Sequence, residues 1–210
     1  MMSNTKGEMS QELPTRRSQA KASRRRTMLD AAAALFAQRG FSRVSIEDLG
    51  AAAGVSGPAV YRHFSGKQAL LGALLLDVSD ELLSGGREVV ATTGDDDGAL
   101  RALISFHVDF ALSNTDVIRV QDRDLDNLSP EDHKQVRILQ RSYVELWVDL
   151  LGRLHPEEDS AARRIKAHAV FGLINSTPHS LQMHGKRVGA KSARPVLEQM
   201  AWAALVAPAA

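Results

Sequence analysis

The stretch Val55–Phe64, VSGPAVYRHF, decides how this chain reads. A glycine and a proline stand side by side, and Tyr61, Arg62 and His63 follow at once. As a strand the stretch fails, because proline lacks a ladder donor and glycine packs nothing. As a helix it works. Ser56 stands where a cap belongs, and Gly57 and Pro58 fill a first turn whose N–H groups lack intrahelical partners anyway. Val60 and Phe64, four apart, share the inward face. Gly57, Pro58, Tyr61 and Arg62 then point away from the core, with His63 at the rim.

The flanks support a helical reading. Upstream, SIEDLGAAAG carries Ser45 and Asp48 in the Ser-x-x-acid pattern of a capping box. Ile46, Leu49 and Ala53 recur at helical spacing, and Gly54 ends that helix. Before it, SRRRTMLDAAAALFAQRG sets Leu29, Ala32, Ala33 and Phe36 on one face, with Gly40 at the C-terminal cap. Residues 1 to about 20 are polar and read as a mobile arm. Downstream, SGKQALLGALLLDVSDELL is a longer helix with Lys67 in its first turn. A cation there opposes the helix dipole, which fits either an external anion or an ordinary exposed lysine.

After Leu83 the glycines at 85, 86 and 94 predict a weak helix end and a loop. Further helices follow through ALRALISFHVDFALSN, the stretch capped by Ser129, the stretch after Pro156, and a last one with a serine cap and Pro195. No segment alternates with period two. The chain is therefore expected to be all-α, with about nine helices.

Two helices joined through Gly54-Val55-Ser56 make a helix-turn-helix, whose second helix enters the major groove by its N-terminal end. Small residues at 56–58 let the backbone come close to DNA. Tyr61 and His63 can donate to phosphates, and Arg62 can reach a phosphate or a guanine edge. Charge agrees. Residues 1–67 carry 11 Lys and Arg against 5 Asp and Glu, while residues 68–210 carry 15 against 20. A net charge of +1 hides this asymmetry, which fits a polyanion partner or a solvated basic tail.

MLDAAAALFAQRGFSRVSIEDLGAAAGVSGPAVYRHFSGKQALLGALL resembles the N-terminal domain of the TetR/AcrR family of transcriptional regulators. The resemblance covers about residues 24–75 without gaps. It rests on Ala-Leu-Phe, Arg-Gly-Phe, the Ser45 cap, Ala-Gly-Val-Ser, Tyr-Arg-His-Phe and Lys67. It implies a dimeric DNA-binding repressor, or less often an activator, acting on a double-stranded operator. Ser45 and Lys67 would hold phosphates, and Ser56, Gly57, Pro58, Ala59, Tyr61, Arg62 and His63 would line the recognition helix. Many members carry Lys-Gly or Arg-Gly where this chain has Gly57-Pro58, so one basic contact is missing. Arg24, Arg25 and Arg26, with Arg16 and Arg17, could compensate as an arm along the DNA backbone. The expected division is an arm at 1–20, a DNA-binding domain at 21–67, and a ligand-binding and dimerisation domain at 68–210.

In such a family the C-terminal helices form a ligand pocket and a dimer interface. Phe106, Phe110, Tyr143, Trp147, Phe171 and Asn175 are the pocket candidates, although helix stripes of this kind usually make core. Pro178 is expected to kink its helix and free the carbonyl of Ile174. Leu197, Met200, Ala201, Ala204 and Leu205 share one side of the last helix and suit a homodimer. A small, largely apolar effector is expected, an acyl thioester or an aromatic compound.

Other classes fit less well. The chain has no cysteine, which removes disulfides and thiolate chemistry and suits a reducing cytoplasm. It lacks an apolar run long enough to span a bilayer, and its first 21 residues lack the apolar core of a signal peptide. Asp122–Asn127 starts like a calcium loop but lacks the glycine and the bidentate glutamate. His179 and His184 are five apart, wrong for one helical face. No cofactor, metal or membrane partner is expected. A helical enzyme or an adaptor without DNA binding is the competing reading, and no Gly-x-Ser-x-Gly elbow or phosphate loop supports the enzyme.

Overall fold

The computed structural model describes residues 16–183, 186–187 and 189–208. Of the expected arm, residues 1–15 and the side chains of Arg16 and Arg17 lie outside the described residues. The described chain is all-α apart from one antiparallel pair of two-residue strands, β1 (Gln182–Met183) and β2 (Lys186–Arg187). Nine helices have five residues or more: α1 (Arg16–Arg39), α2 (Ile46–Ala52), α3 (Gly57–Tyr61), α4 (Lys67–Thr92), α5 (Asp96–Ser113), α6 (Thr115–Asp124), α7 (Pro130–Leu154), α8 (Ser160–Asn175) and α10 (Ala190–Val206). The single turn Thr177–Ser180 is α9, and two 3₁₀ turns stand at Phe41–Arg43 and Leu125–Asn127.

Most start and stop signals act as read. Ser45 accepts from the Asp48 N–H, and the Asp48 carboxylate accepts from the Ser45 N–H, completing the capping box. Ser129 caps α7 by accepting from the Asp132 N–H, without the reciprocal bond, and Pro130 takes the first position. Gly54 takes a left-handed φ of 67° after α2. There the Val55 N–H reaches the Gly50 carbonyl at 2.8 Å and the Gly54 N–H reaches that of Ala51 at 3.2 Å, a Schellman ending.

Four local expectations are corrected. The last helix starts at Ala190 after Gly189 with no side-chain cap, so the serine expected to cap it and Pro195 both lie inside it. The helix expected from about residue 22 already runs at Arg16, because nothing in RRSQAKAS breaks it. The loop expected at Gly85-Gly86 is mid-helix in α4. These glycines act by lacking a side chain: a Cβ at Gly85 would lie 2.6 Å from the Phe106 ring, and one at Gly86 2.7 Å from the Tyr143 ring. At Pro178 the helix ends instead of kinking. Ser176 closes α8 and opens α9, where Pro178 sits in the first turn, and the Thr177 hydroxyl donates to the Ala111 carbonyl on α5.

Two apolar cores share α4. The first takes Met28–Ala37, Val44, Ile46, Leu49, Val60 and Phe64, then runs on through Leu70–Val78 to Val117, Val120, Leu128 and Val136. The second lies between α5, α7, α8 and α10, around Leu100, Leu103, Trp147, Leu151, Val170, Ala201 and Leu205. α6 and α7 also contribute to both cores, through Ile118 with Val117 and Val120, and through Tyr143–Leu151 with Val136.

Candidate nucleic-acid interface and interior cavity

The helix-turn-helix is set by close backbone approach. A Cβ on Gly50 would lie 2.9 Å from the Val55 carbonyl oxygen and 3.1 Å from the Gly57 nitrogen, so only glycine lets the turn fold onto α2. Val60 and Phe64 anchor α3 from below, both buried. Tyr61 is 57 % exposed, the open large apolar side chain of this segment. Arg62 and Pro58 are exposed beside it, and Arg62 has no ion-pair partner among the described residues.

Several expected contacts sit differently. Ala59 is buried and supports α3 from inside, so it does not line the outer face. Ser56 occupies the cap position but makes no side-chain cap bond. Pro58 has no N–H to offer it, and the Ala59 N–H is taken by the Ser56 carbonyl at 2.8 Å. Arg62 and His63 lie just past the last helical residue. Gly57 is half-buried, and a Cβ there would meet Glu47 only at 3.7 Å, so space does not exclude a basic residue at that site.

The expected phosphate ligands carry internal duties. The Ser45 hydroxyl donates to Asp48 Oδ2 at 2.7 Å while capping α2. These bonds, first that from the Ser45 backbone, hold the Asp48 carboxyl below its usual pKa. The Lys67 ammonium donates to the Phe41 carbonyl at 2.8 Å and lies 4.4 Å from the Phe41 ring centre, tying the start of α4 to the 3₁₀ turn. Arg25 pairs with Asp77 and Arg26 with Glu81, so these two residues fasten α1 to α4 and do not form a free arm. Arg24 is exposed. Arg43, exposed two residues before the Ser45 cap, is a cation of this surface that the motif reading overlooked.

In the second core a cavity of about 230 Å³ opens between α4, α5, α6, α7 and α8. Of the six expected lining residues, Tyr143, Phe171 and Asn175 reach it. Trp147 is wholly buried behind them, with its ring edge-on to Phe171 at 5.1 Å. Phe106 packs on Gly85, and Phe110 fills the junction between the two cores. The polar lining was missed: Ser79, His107, Gln121, Arg137, Gln140 and His168. A signal for it existed, since His168, Phe171 and Asn175 recur at three and seven, and His107 follows Leu103 by four.

His107 is buried, and burial pulls its pKa from 6.5 to about 4. Burial also pushes the Tyr143 hydroxyl up, so it stays protonated. The imidazole is neutral in the folded protein but titrates normally once unfolded. Acid therefore protonates the unfolded chain first. The stability present above pH 6.5 falls as pH drops towards 4. Between about pH 7.5 and about pH 5.5 the loss from this group is on the order of 1 kcal/mol. Denaturant titrations at the two pH values should show it, and His107→Phe should flatten it. An equal slope in both proteins would assign the loss elsewhere.

The expected dimer stripe divides in two. Leu197, Ala201 and Leu205 are buried within the subunit, whereas Met200 and Ala204 are exposed. Helical periodicity found the apolar face of α10, and that face is core. The open apolar surface is formed by Val196, Met200, Ala203 and Ala204 on α10 with Ala161, Ile165, Ala169 and Gly172 on α8. No helix of the described residues is long and apolar enough to cross a membrane.

Comparison with known proteins agrees with this architecture. Residues 28–74 match the family model described as bacterial regulatory proteins, tetR family. Residues 94–191 match a tetracyclin repressor-like C-terminal domain. The chain is 30 % identical over 182 residues to the HTH-type transcriptional activator FasR of Mycolicibacterium smegmatis, covering 87 % of this chain and 83 % of FasR. It is 31 % identical over 132 residues to the HTH-type transcriptional repressor KstR2 of Rhodococcus jostii, covering 62 % of this chain and 65 % of KstR2. A TetR-family regulator from Bordetella parapertussis superimposes with a TM-score of 0.74 at 24 % identity, over 84 % of this chain and 93 % of its own. The two matched models, the helix-turn-helix and the FasR likeness over most of both chains agree: this protein belongs to the TetR family of DNA-binding transcription regulators and is not an enzyme.

Proposed function

We propose that the protein is a ligand-responsive repressor that binds a palindromic operator as a homodimer and is released by a small, largely apolar effector. The observation that carries the DNA half is Tyr61 with Arg62. They stand exposed at the end of a helix whose other face is locked by Val60 and Phe64. The relatives include an activator, FasR, and a repressor, KstR2.

The open apolar surface of α8 and α10 suits pairing with a second copy. Alanines and Gly172 allow close helix approach, and two-fold symmetry matches a palindrome. The cavity suits the effector, an acyl thioester or an aromatic compound, whose body would lie against Phe171 and Tyr143. Gln121 of α6 lines the cavity, and two residues further along the same helix Arg123 holds the carbonyl end of α1. An effector that moves α6 moves the reading head, provided it binds the two states with different affinity.

The test is binding to a duplex selected from a random pool by the wild-type protein. Tyr61→Ala should weaken that duplex by about tenfold, the scale of one or two lost phosphate contacts, without changing the thermal midpoint. Affinity should fall steeply with salt. Wild-type affinity in Tyr61→Ala would show that another face reads DNA.

A further inference from the structure

The cavity has a charged mouth. Arg137, Gln140, Arg141 and Val144 recur along α7 at helical spacing and share one face, and Arg164 and His168 are one turn apart on α8. These residues line a groove of about 520 Å³ between the two helices. Arg137, Gln140, Val144 and His168 also line the cavity, so groove and cavity are continuous.

Three guanidiniums line the groove and no carboxylate does. Arg164 is committed elsewhere, because it forks onto Glu145 at 2.5 and 2.9 Å. That bond first, with the charge of Arg141 adding to it, holds the Glu145 carboxyl below its usual pKa. One carboxylate against three cations leaves the groove with excess positive charge. Arg137 and Arg141 are exposed, and neither has a salt-bridge partner among the described residues. Exposed arginines on a helix are ordinarily just solvated. These two stand at the rim of an apolar cavity walled by Tyr143 and Phe171. A ligand could there bury its body and present its charged end to both. Guanidinium forks fit phosphate oxygens, and a phosphate dianion neutralises two arginines where a carboxylate neutralises one.

We infer that the effector is an amphiphile with a phosphate-bearing head, its apolar body in the cavity and its phosphate on Arg137 and Arg141. This inference rests on the reading of the cavity as an effector site. It favours an acyl thioester on a phosphate-bearing carrier over a neutral aromatic compound, which offers the arginines nothing.

Calorimetric titration of the full chain with octyl phosphate, octanoate and 1-octanol tests it, at about pH 8 where the phosphate is doubly charged. Octyl phosphate should bind at least about tenfold more tightly than 1-octanol, with octanoate between them, and the gap should narrow as salt rises. Arg137→Gln and Arg141→Gln should each weaken octyl phosphate by about fivefold or more and leave 1-octanol unchanged. Both side chains are exposed and outside any salt bridge, so the thermal midpoint should stay at the wild-type value. Octyl phosphate bound no more tightly than 1-octanol would overturn the charged head and keep the cavity as an apolar site. A preference for octyl phosphate that survives both variants would overturn its seat on α7. Binding of none of the three would overturn the reading of the cavity itself, and the head with it.

Discussion

Gly50→Val is expected to abolish DNA binding, at least about 100-fold, while the second core stays intact. The cause is steric and local. The α2–turn–α3 angle depends on the backbone of Val55–Gly57 lying against a residue without a side chain, and a Cβ would sit 2.9 Å from a carbonyl oxygen. That neighbour is backbone held by the Val55-to-Gly50 hydrogen bond, so it cannot rotate aside. Alanine is the instructive intermediate. It gains about 1 kcal/mol of helix propensity over glycine and loses about 1–3 kcal/mol to overpacking, so its stability should fall by at most about 2 kcal/mol. Its DNA affinity should still fall, because α3 must tilt. Valine adds bulk and loses the propensity gain, and should destabilise the first core by about 2 kcal/mol or more. Gly66→Ala is the control, since a Cβ there meets nothing within 4 Å. Wild-type binding of the selected duplex by Gly50→Val would show that the angle between α2 and α3 does not matter to recognition.

Gly50 also shows where sequence reading stopped. The glycines at 40 and 54 end helices and take positive φ, and punctuation of that kind is visible in one dimension. Gly50, Gly85 and Gly86 sit inside helices and matter for what lies opposite them. Spacing says nothing about that partner, which is why a helix at 85–86 read as a loop. The capping box of α2, the proline starts of α3 and α7 and the inward Val60–Phe64 pair were legible because each is a contact within one turn.

The site was legible in the same measure. The outer face of α3 follows from periodicity over ten residues, and Tyr61 and Arg62 emerge there. Lys67, Arg25 and Arg26 were read as cations for DNA because charge is visible in sequence, whereas their partners Phe41, Asp77 and Glu81 lie 26 to 55 positions away. The cavity was half legible. Aromatic residues drew attention, but a stripe marks burial without saying whether it faces core or space, so Trp147 and Phe106 were counted with Tyr143 and Phe171. The same ambiguity placed Leu197, Ala201 and Leu205 on a dimer face when they fill their own core.

Arg123→Met is expected to produce a large loss of stability for a change outside the apolar cores. Arg123 closes the carbonyl end of α1 by donating to Phe36 and, at 3.3 Å, to Ala37, where the helix dipole favours a cation. The same guanidinium is paired at 2.9 Å with Asp124, a carboxylate only 6 % exposed that also accepts from the Phe41 N–H. Methionine keeps the length and apolar stem. It leaves the Ala37 carbonyl without this donor, the Phe36 carbonyl with only the Gly40 N–H, and a buried carboxylate without its counter-charge, for a cost of about 3 kcal/mol. Removing both charges should be milder than removing one. The double variant Arg123→Met/Asp124→Asn should recover about 1–2 kcal/mol of that loss, measured by denaturant titration as a double-mutant cycle. Coupling to the cavity gives an independent readout. If α6 carries the effector signal, Arg123→Met should also blunt release of DNA by a cavity ligand even where both binding events persist. Unchanged stability in the single variant, or strict additivity in the double, would show that the Arg123–Asp124 pair is peripheral.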